Sequence, residues 1–290
     1  MGKTIFQPSV FTRLAAEQGE IQAFIYELEM RVQFRGITVR NGVLLHGPAG
    51  WAEFSPFWGY STKYSARWLL GALDTAINGP VNVQRSEIAV NVTVPAVGAA
   101  EAAQIALGLG ADTAKVKVAE IGQDPKDDLN RLAAVRDALG KNAKIRIDVN
   151  GRWDLQTALE LLPQYHRAAG GLEYAEQPCM EVVDLAAIRR RYPQIKIAAD
   201  ESIRRAEDPF RVRAQEAADL IIVKNQPLGG VRAVLELLQE IEMPAAVSSA
   251  LESSLGLASG LHLAGALPNL RYACGLGTAK LFPVTSPRIR

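Results

Sequence analysis

The chain has 290 residues, a formal net charge of +1, 48% apolar content and two cysteines. That size suits one large barrel or two ordinary domains, and near-neutral charge excludes the electrostatic bias of proteins that bind nucleic acid or acidic lipid. Cys179 and Cys274 are too few and too far apart for a disulfide framework, which points to a reducing cytoplasm.

Residues 1–20 carry acids and lack a long apolar core, so they read as a leader of uncertain order rather than a secretory signal. Residues 21–84 read as a small α+β unit. IQAFIYELEMRV and GVLLHGPAGWAEFSP are strand-like, and Thr62–Ile77 is helix-like. The stretch Met30–Gly42 reads as a loop whose arginines, Arg31, Arg35 and Arg40, either meet a carboxylate or are solvated, and solvation is the reading taken.

From residue 85 to 279 a β-rich run alternates with an amphipathic helical run. The predicted strands are Glu87–Val94, Thr113–Val118, Lys144–Val149, Leu172–Ala175, Lys196–Ala199, Leu220–Val223, Ala245–Ser248 and Arg271–Gly275. Predicted helices include Asp127–Leu139, Asp154–Ala169, Asp184–Tyr192, Val231–Ile241 and Ser254–Ala264. Asp154 and Asp184 read as N-caps, and Gly140, Gly170 and Pro193 as stops. Eight alternating strands predict an α/β fold with a parallel sheet closed as a TIM-type (β/α) barrel. An open doubly wound sheet would carry a glycine-rich turn after its first strand, and PAVGAAEAAQ has none. The most apolar stretch, Pro244–Leu267, is broken by Glu252, His262 and serines, so no membrane span is predicted.

Five charged residues end consecutive strands: Lys117, Asp148, Glu176, Asp200 and Lys224. From Asp148 onward the steps are 176 − 148 = 28, 200 − 176 = 24 and 224 − 200 = 24, each close to one strand–helix–strand unit. Strand ends on one rim of a barrel gather active groups. Three neighbouring carboxylates repel one another, and a hard divalent cation resolves the repulsion. Oxygen donors without His or Cys fit Mg²⁺, or Mn²⁺, rather than zinc. Lys115 and Lys117 are two apart and face the barrel interior, where a charge is costly unless paired or used. The plainer alternative is that the lysines only neutralise the acids. Lys117 and Lys224 would flank a substrate held between them. Burial and a second cation would lower the pKa of Lys117 toward that of a base. The substrate class is then a small carboxylate with an acidic proton beside it; the oligomeric state is not legible.

The order KVK, DVN, EQP, ADES, VKNQPLGG resembles the enolase superfamily, in its muconate-lactonizing-enzyme-like subgroup, over about residues 21–280. The resemblance implies a capping domain (21–84 with the tail 280–290) over a modified barrel. It implies metal ligands at Asp148, Glu176 and Asp200 and acid/base lysines at Lys117 and Lys224, with Asn150 and Glu201 near the metal. AVSSALESSLGL and ACGLGT resemble the o-succinylbenzoate synthase family of menaquinone biosynthesis, which implies that Ser248, Ser249 and Gly275 line a succinyl pocket. Arg146 resembles a pocket-side arginine, or one just behind the metal ligands. The implied reaction is syn-dehydration of 2-succinyl-6-hydroxy-2,4-cyclohexadiene-1-carboxylate. An N-acylamino-acid racemase or muconate-type cycloisomerase on the same scaffold stays open, as does a metal-free Schiff-base aldolase using Lys224.

Overall fold

The computed structural model describes residues 21–108, 110–206 and 208–283 and the backbone of 288–289; residues 1–20 lie outside it. The first unit is an antiparallel sheet of β1 (Gln22–Phe34), β2 (Ile37–Gly47) and β3 (Gly50–Phe54), joined at the β1 edge by β11 (Arg288–Ile289). The segment Met30–Gly42 is therefore strand rather than loop. Only Arg35 and Gly36 turn, at φ of 53° and 76°, the two left-handed residues of a tight hairpin turn. Helix α1 (Thr62–Asn78), capped by the Ser61 hydroxyl, buries Trp68, Ala72, Leu73 and Ala76. With Val43, Leu45 and Ala52, three of these, Ala72, Leu73 and Ala76, make a small core.

The second unit is a parallel sheet of seven strands in sequence order: β4 (Val92–Val94), β5 (Thr113–Lys117), β6 (Lys144–Asp148), β7 (Tyr174–Glu176), β8 (Ile197–Ala199), β9 (Leu220–Val223) and β10 (Ala245–Val247). The predicted eighth strand, Arg271–Gly275, forms no ladder. Instead it bridges both sheet edges, Cys274 to Val90 and Gly275 to Ser248. Cys274 N donates to Ala89 O at 2.7 Å, and Gly275 N donates to Val247 O at 2.8 Å. These bridges close the barrel. The first strand is shorter than predicted, because residues 87–91 reach the sheet only through that single bridge.

Helices cover the outside: α2 (Ala99–Leu107), α3 (Pro125–Leu139), α4 (Leu155–Ala168), α5 (Val182–Arg191) and, beyond the short turn α6 (Glu201–Arg204) that lies on the rim directly after Asp200, the short turn α7 (Arg211–Ala214), α8 (Val231–Ile241) and α9 (Ser254–Ala266). Asp154 caps α4 as predicted, accepting from Thr157 N at 2.8 Å. Asp184 does not cap α5; the helix starts earlier, after Glu181, and Asp184 lies in its first turn. The period of two sorts the strand residues. Val116, Val118, Ile147, Ala175, Ile221, Val223 and Val247 point outward into one continuous apolar core with the helices. Lys115, Lys117, Asp148 and Glu176 take the opposite face, toward the interior.

The cap docks on the barrel through the sequence QPLGG. A Cβ added at Gly71 of α1 would lie 2.6 Å from Gly230 N, so the two backbones touch. Gly230, at φ 107°, is also the N-cap of α8. These glycines serve packing and helix entry.

Candidate active site

The strands deliver the five predicted residues to one rim. Lys117 pairs with Asp148 across β5 and β6, and Asp148 with Glu176 across β6 and β7. All are nearly or wholly buried: Lys117 and Lys224 are 4% exposed, Asp148 7%, Glu176 and Asp200 0%. Each carboxylate is held by an ammonium group. Lys117 Nζ donates to Asp148 Oδ2 at 3.3 Å, Lys224 Nζ donates to Asp200 Oδ2 at 2.6 Å, and Lys115 Nζ donates to both oxygens of Glu176 at 2.9 and 3.1 Å. Lys115 also approaches Asp148 Oδ2 at 3.7 Å.

The electrostatics follow from burial opposed by these pairings. Burial favours the neutral form of Asp148, but Lys117, Lys115 and Lys224 together hold it well below the usual carboxylate range. Asp200 is likewise lowered against burial, by Arg204 and Lys224. For Glu176 burial wins. Even with Lys115 in contact, its carboxyl is pushed up to about 7, with the charges of Asp148 and Asp200 adding to the effect. Burial lowers Lys117, Asp148 opposes, and Arg35 and Lys115 push it down further. Burial also acts against the Lys115 ammonium, but Glu176 and Asp148 outweigh it and raise its pKa.

Could a metal sit here? Among the described residues no three His, Cys, Asp or Glu side chains are gathered at metal-binding spacing, because each acid is drawn to its lysine. The donor set nevertheless fits a hard divalent cation: three carboxylates on neighbouring strand ends, without soft ligands. The burial of Glu176 beside the charges of Asp148 and Asp200 is in keeping with this, since both push its carboxyl up and a further positive charge there would oppose them.

The loops hold the ligands in place. Gln177, which sequence reasoning passed over inside EQP, accepts from the backbone of Asp200 at 2.8 Å and of Ser202 at 3.1 Å. Asn150 Nδ2 donates to Glu201 Oε1 at 3.2 Å, and Arg204 joins Asp200 to Glu201. Ala119, Asn150, Gln177 and Leu251, each one to four residues beyond a strand end, are non-glycine residues at positive φ. Such strain persists where surrounding contacts over-determine it, as at functional rims.

The cavity lined by Lys115, Lys117, Asp148 and Lys224 has a second wall of Ser248, Ser249, Leu251, Gly275 and Thr278. A Cβ at Gly275 would lie 2.5 Å from Ser248 Oγ, so glycine makes the room for that serine. Ser249 Oγ and Thr278 Oγ1 share a hydrogen bond of 2.9 Å. Thr93, Thr278, Leu251 and the hairpin pair Phe34 and Arg35 also line it and were missed from sequence. Strand parity could have found Thr93, which pairs with Lys115 in register.

Two expectations fail. Arg146 faces the interior but does not line this cavity. It sits a layer lower, bonded to Glu173 at 2.6 Å, to Asn91 at 3.1 Å and to Ala273 O at 2.7 Å, over the Tyr174 ring. The arginines of Met30–Gly42 are not free in solvent. Arg31 Nε donates to Phe282 O at 3.1 Å, Arg35 meets Glu201 at 3.5 Å, and Arg40 is 2% exposed.

Comparison with known proteins gives the lineage. Residues 98–285 match the enolase C-terminal domain-like family, and 25–76 the enolase N-terminal domain-like family. The chain is 54% identical over 256 residues to the o-succinylbenzoate synthase of Thermobifida fusca, covering 88% of this chain and 80% of that one. The Mycolicibacterium smegmatis o-succinylbenzoate synthase is 48% identical over 268 residues, covering 91% and 82%. Among solved structures, the L-Ala-D/L-Glu epimerase of Bacillus subtilis superposes with a TM-score of 0.76 at 21% identity, over 90% of both chains. Muconate lactonizing enzyme from Pseudomonas putida gives 0.74 at 20%, over 91% of this chain and 88% of that one. At such identity these two speak for the barrel and cap alone. The chain belongs to the enolase superfamily and, within it, to the o-succinylbenzoate synthase family.

Proposed function

We propose that this chain dehydrates 2-succinyl-6-hydroxy-2,4-cyclohexadiene-1-carboxylate to o-succinylbenzoate, with Lys117 as the base. The observation that carries the reading is one cavity with Lys117 and Lys224 on strands four apart in the ring and a wall of small residues, Ser248, Ser249 and Gly275, beside them. It stands in a chain 54% identical to a named o-succinylbenzoate synthase.

Asp148, Glu176 and Asp200 would hold Mg²⁺, with Mn²⁺ as a substitute. The bound cation would draw negative charge off the substrate carboxylate and so acidify the adjacent C–H. Lys117, lowered by burial and by Arg35 and Lys115, supplies a neutral amine more readily than a solvent lysine does. It takes the proton next to the carboxylate. The C–H electron pair forms the new ring double bond as the C–O bond breaks, and the same ammonium returns its proton to the departing hydroxide. Water leaves and the ring becomes aromatic. Lys224, held by Asp200, faces the other side of the ring as a cation. Lys115 keeps Glu176 and Asp148 in place, and Asn150 and Glu201 brace the rim behind them.

No helix among the described residues is long and apolar enough to cross a membrane. A small polar substrate and two reduced cysteines are consistent with the cytoplasm. The test is turnover: the purified chain with Mg²⁺ should form o-succinylbenzoate. Absence of that product, with racemisation of N-succinyl amino acids in its place, would assign the chain a different reaction.

A further inference from the structure

Leu251 stands out among the residues that line the cavity. It lines the pocket, it is 2% exposed, and its φ is +65°, a backbone conformation that a residue with a Cβ adopts only at a cost. Something must hold it there. Its side chain packs with Leu281 and Phe282, and its carbonyl is held by Arg40, on β2 of the cap and more than two hundred residues away in sequence. Its Nε donates to Leu251 O at 2.9 Å, and its Nη2 donates to Ser55 O and, at 3.5 Å, to Ala250 O. Arg40 is fixed in turn, since its guanidinium stacks over Phe57 at 4.4 Å. Glu53 on β3 ties the next stretch of the same loop, accepting from Ser253 N at 3.1 Å and Gly256 N at 3.0 Å. The cap thus grips the loop after β10 by its strained carbonyl and by the start of α9.

We propose that Arg40 is a positioning residue for the reaction: it holds Leu251 in its left-handed conformation against the cavity and so shapes the wall that receives the substrate. The inference rests on the proposed dehydratase reading of this cavity. Arg40 touches no reacting atom and acts only through Leu251.

The test is a double-mutant cycle with the metal-replete full chain and the succinyl cyclohexadiene carboxylate. Arg40→Met keeps the stem and removes every donor. It should raise KM about tenfold or more while kcat stays within about threefold, and Arg40→Lys, which restores one donor, should recover part of the loss. Leu251→Ala breaks no hydrogen bond and should raise KM by itself. In the double variant Arg40→Met should then add less than about twofold, because the two residues act as one unit. A purely structural Arg40 would lower the folded fraction and the thermal midpoint without moving KM. Unchanged KM in Leu251→Ala, or additive effects in the double variant, overturns the proposal. Should Arg40→Met not fold, Arg40→Lys and Leu251→Ala still decide it. Wild-type turnover in the same assay keeps the dehydratase reading separate: wild type without turnover sinks that reading, whereas an active wild type with an indifferent Arg40 sinks this one alone.

Discussion

Glu252→Gln should stabilise the protein, and only at neutral to alkaline pH. Glu252 is 1% exposed and sits where the cap meets the loop after β10. Its Oε2 accepts from Ala250 N at 2.6 Å, and its Oε1 has no hydrogen-bond partner among the described residues. Burial, and then the neighbouring Glu53 carboxylate, push its pKa from 4.5 up to about 7; backbone N–H groups of Glu252 and Ala250 oppose this, and Arg40 does so least. Glu53 itself is already the common acceptor of Tyr26, Ser55, Ser253 and Gly256. The sign follows from linkage. A carboxyl whose pKa is higher in the folded state binds its proton more tightly there, so its cost is absent below the unfolded value. The cost grows as pH rises through the interval and is complete above about 7. Two and a half pH units at about 1.4 kcal/mol each give roughly 3–4 kcal/mol as an upper figure. Glutamine keeps the acceptor for Ala250 N and never ionises. Thermal or urea unfolding at saturating Mg²⁺ should therefore show wild type and Glu252→Gln within about 1 kcal/mol at pH 4.5, with the variant ahead by about 2–3 kcal/mol at pH 8. A gap equal at both pH values, or a variant less stable at pH 8, would refute the reasoning.

Lys117→Met should lower kcat about 10²–10⁴-fold while the chain still binds o-succinylbenzoate, because it removes the proposed base and leaves the rest of the cavity; comparable kcat would remove Lys117 from that role. Since Lys117 must be neutral to act, kcat/KM should rise with pH through its ionisation, at a value below that of an ordinary lysine. Arg35→Met, which takes away one of the charges that lower it, should move this limb to higher pH; a fixed limb would mean that Arg35 does not act on Lys117. Gly71→Ala should cost about 1–3 kcal/mol in unfolding experiments, because the new methyl meets the Gly230 backbone at 2.6 Å and pushes the cap off the barrel.

The acid trio and the lysines were legible because strand parity and the strand–helix rhythm fix both the face and the height of a residue at a strand end. Arg146 shows the limit of parity. It shares the inward face of Asp148, but two residues lower it belongs to the layer of Tyr174 and Ala273, beneath the cavity. Arg40, Glu53 and Glu252 were illegible for another reason. Their contacts join segments about two hundred residues apart, and a lone arginine on an amphipathic strand looks solvated until the partner surface is known. The last barrel segment was read as a full strand because its composition is strand-like; in the fold only Cys274 and Gly275 bridge, one to each edge.

The most direct test of the central claim, that the acid trio and paired lysines form a metal-dependent dehydratase, is a single chelation cycle. Formation of o-succinylbenzoate by the purified chain is followed before EDTA, in EDTA and after excess Mg²⁺. Turnover that stops in the chelator and returns with the ion is the predicted result; an undiminished rate in EDTA would contradict it.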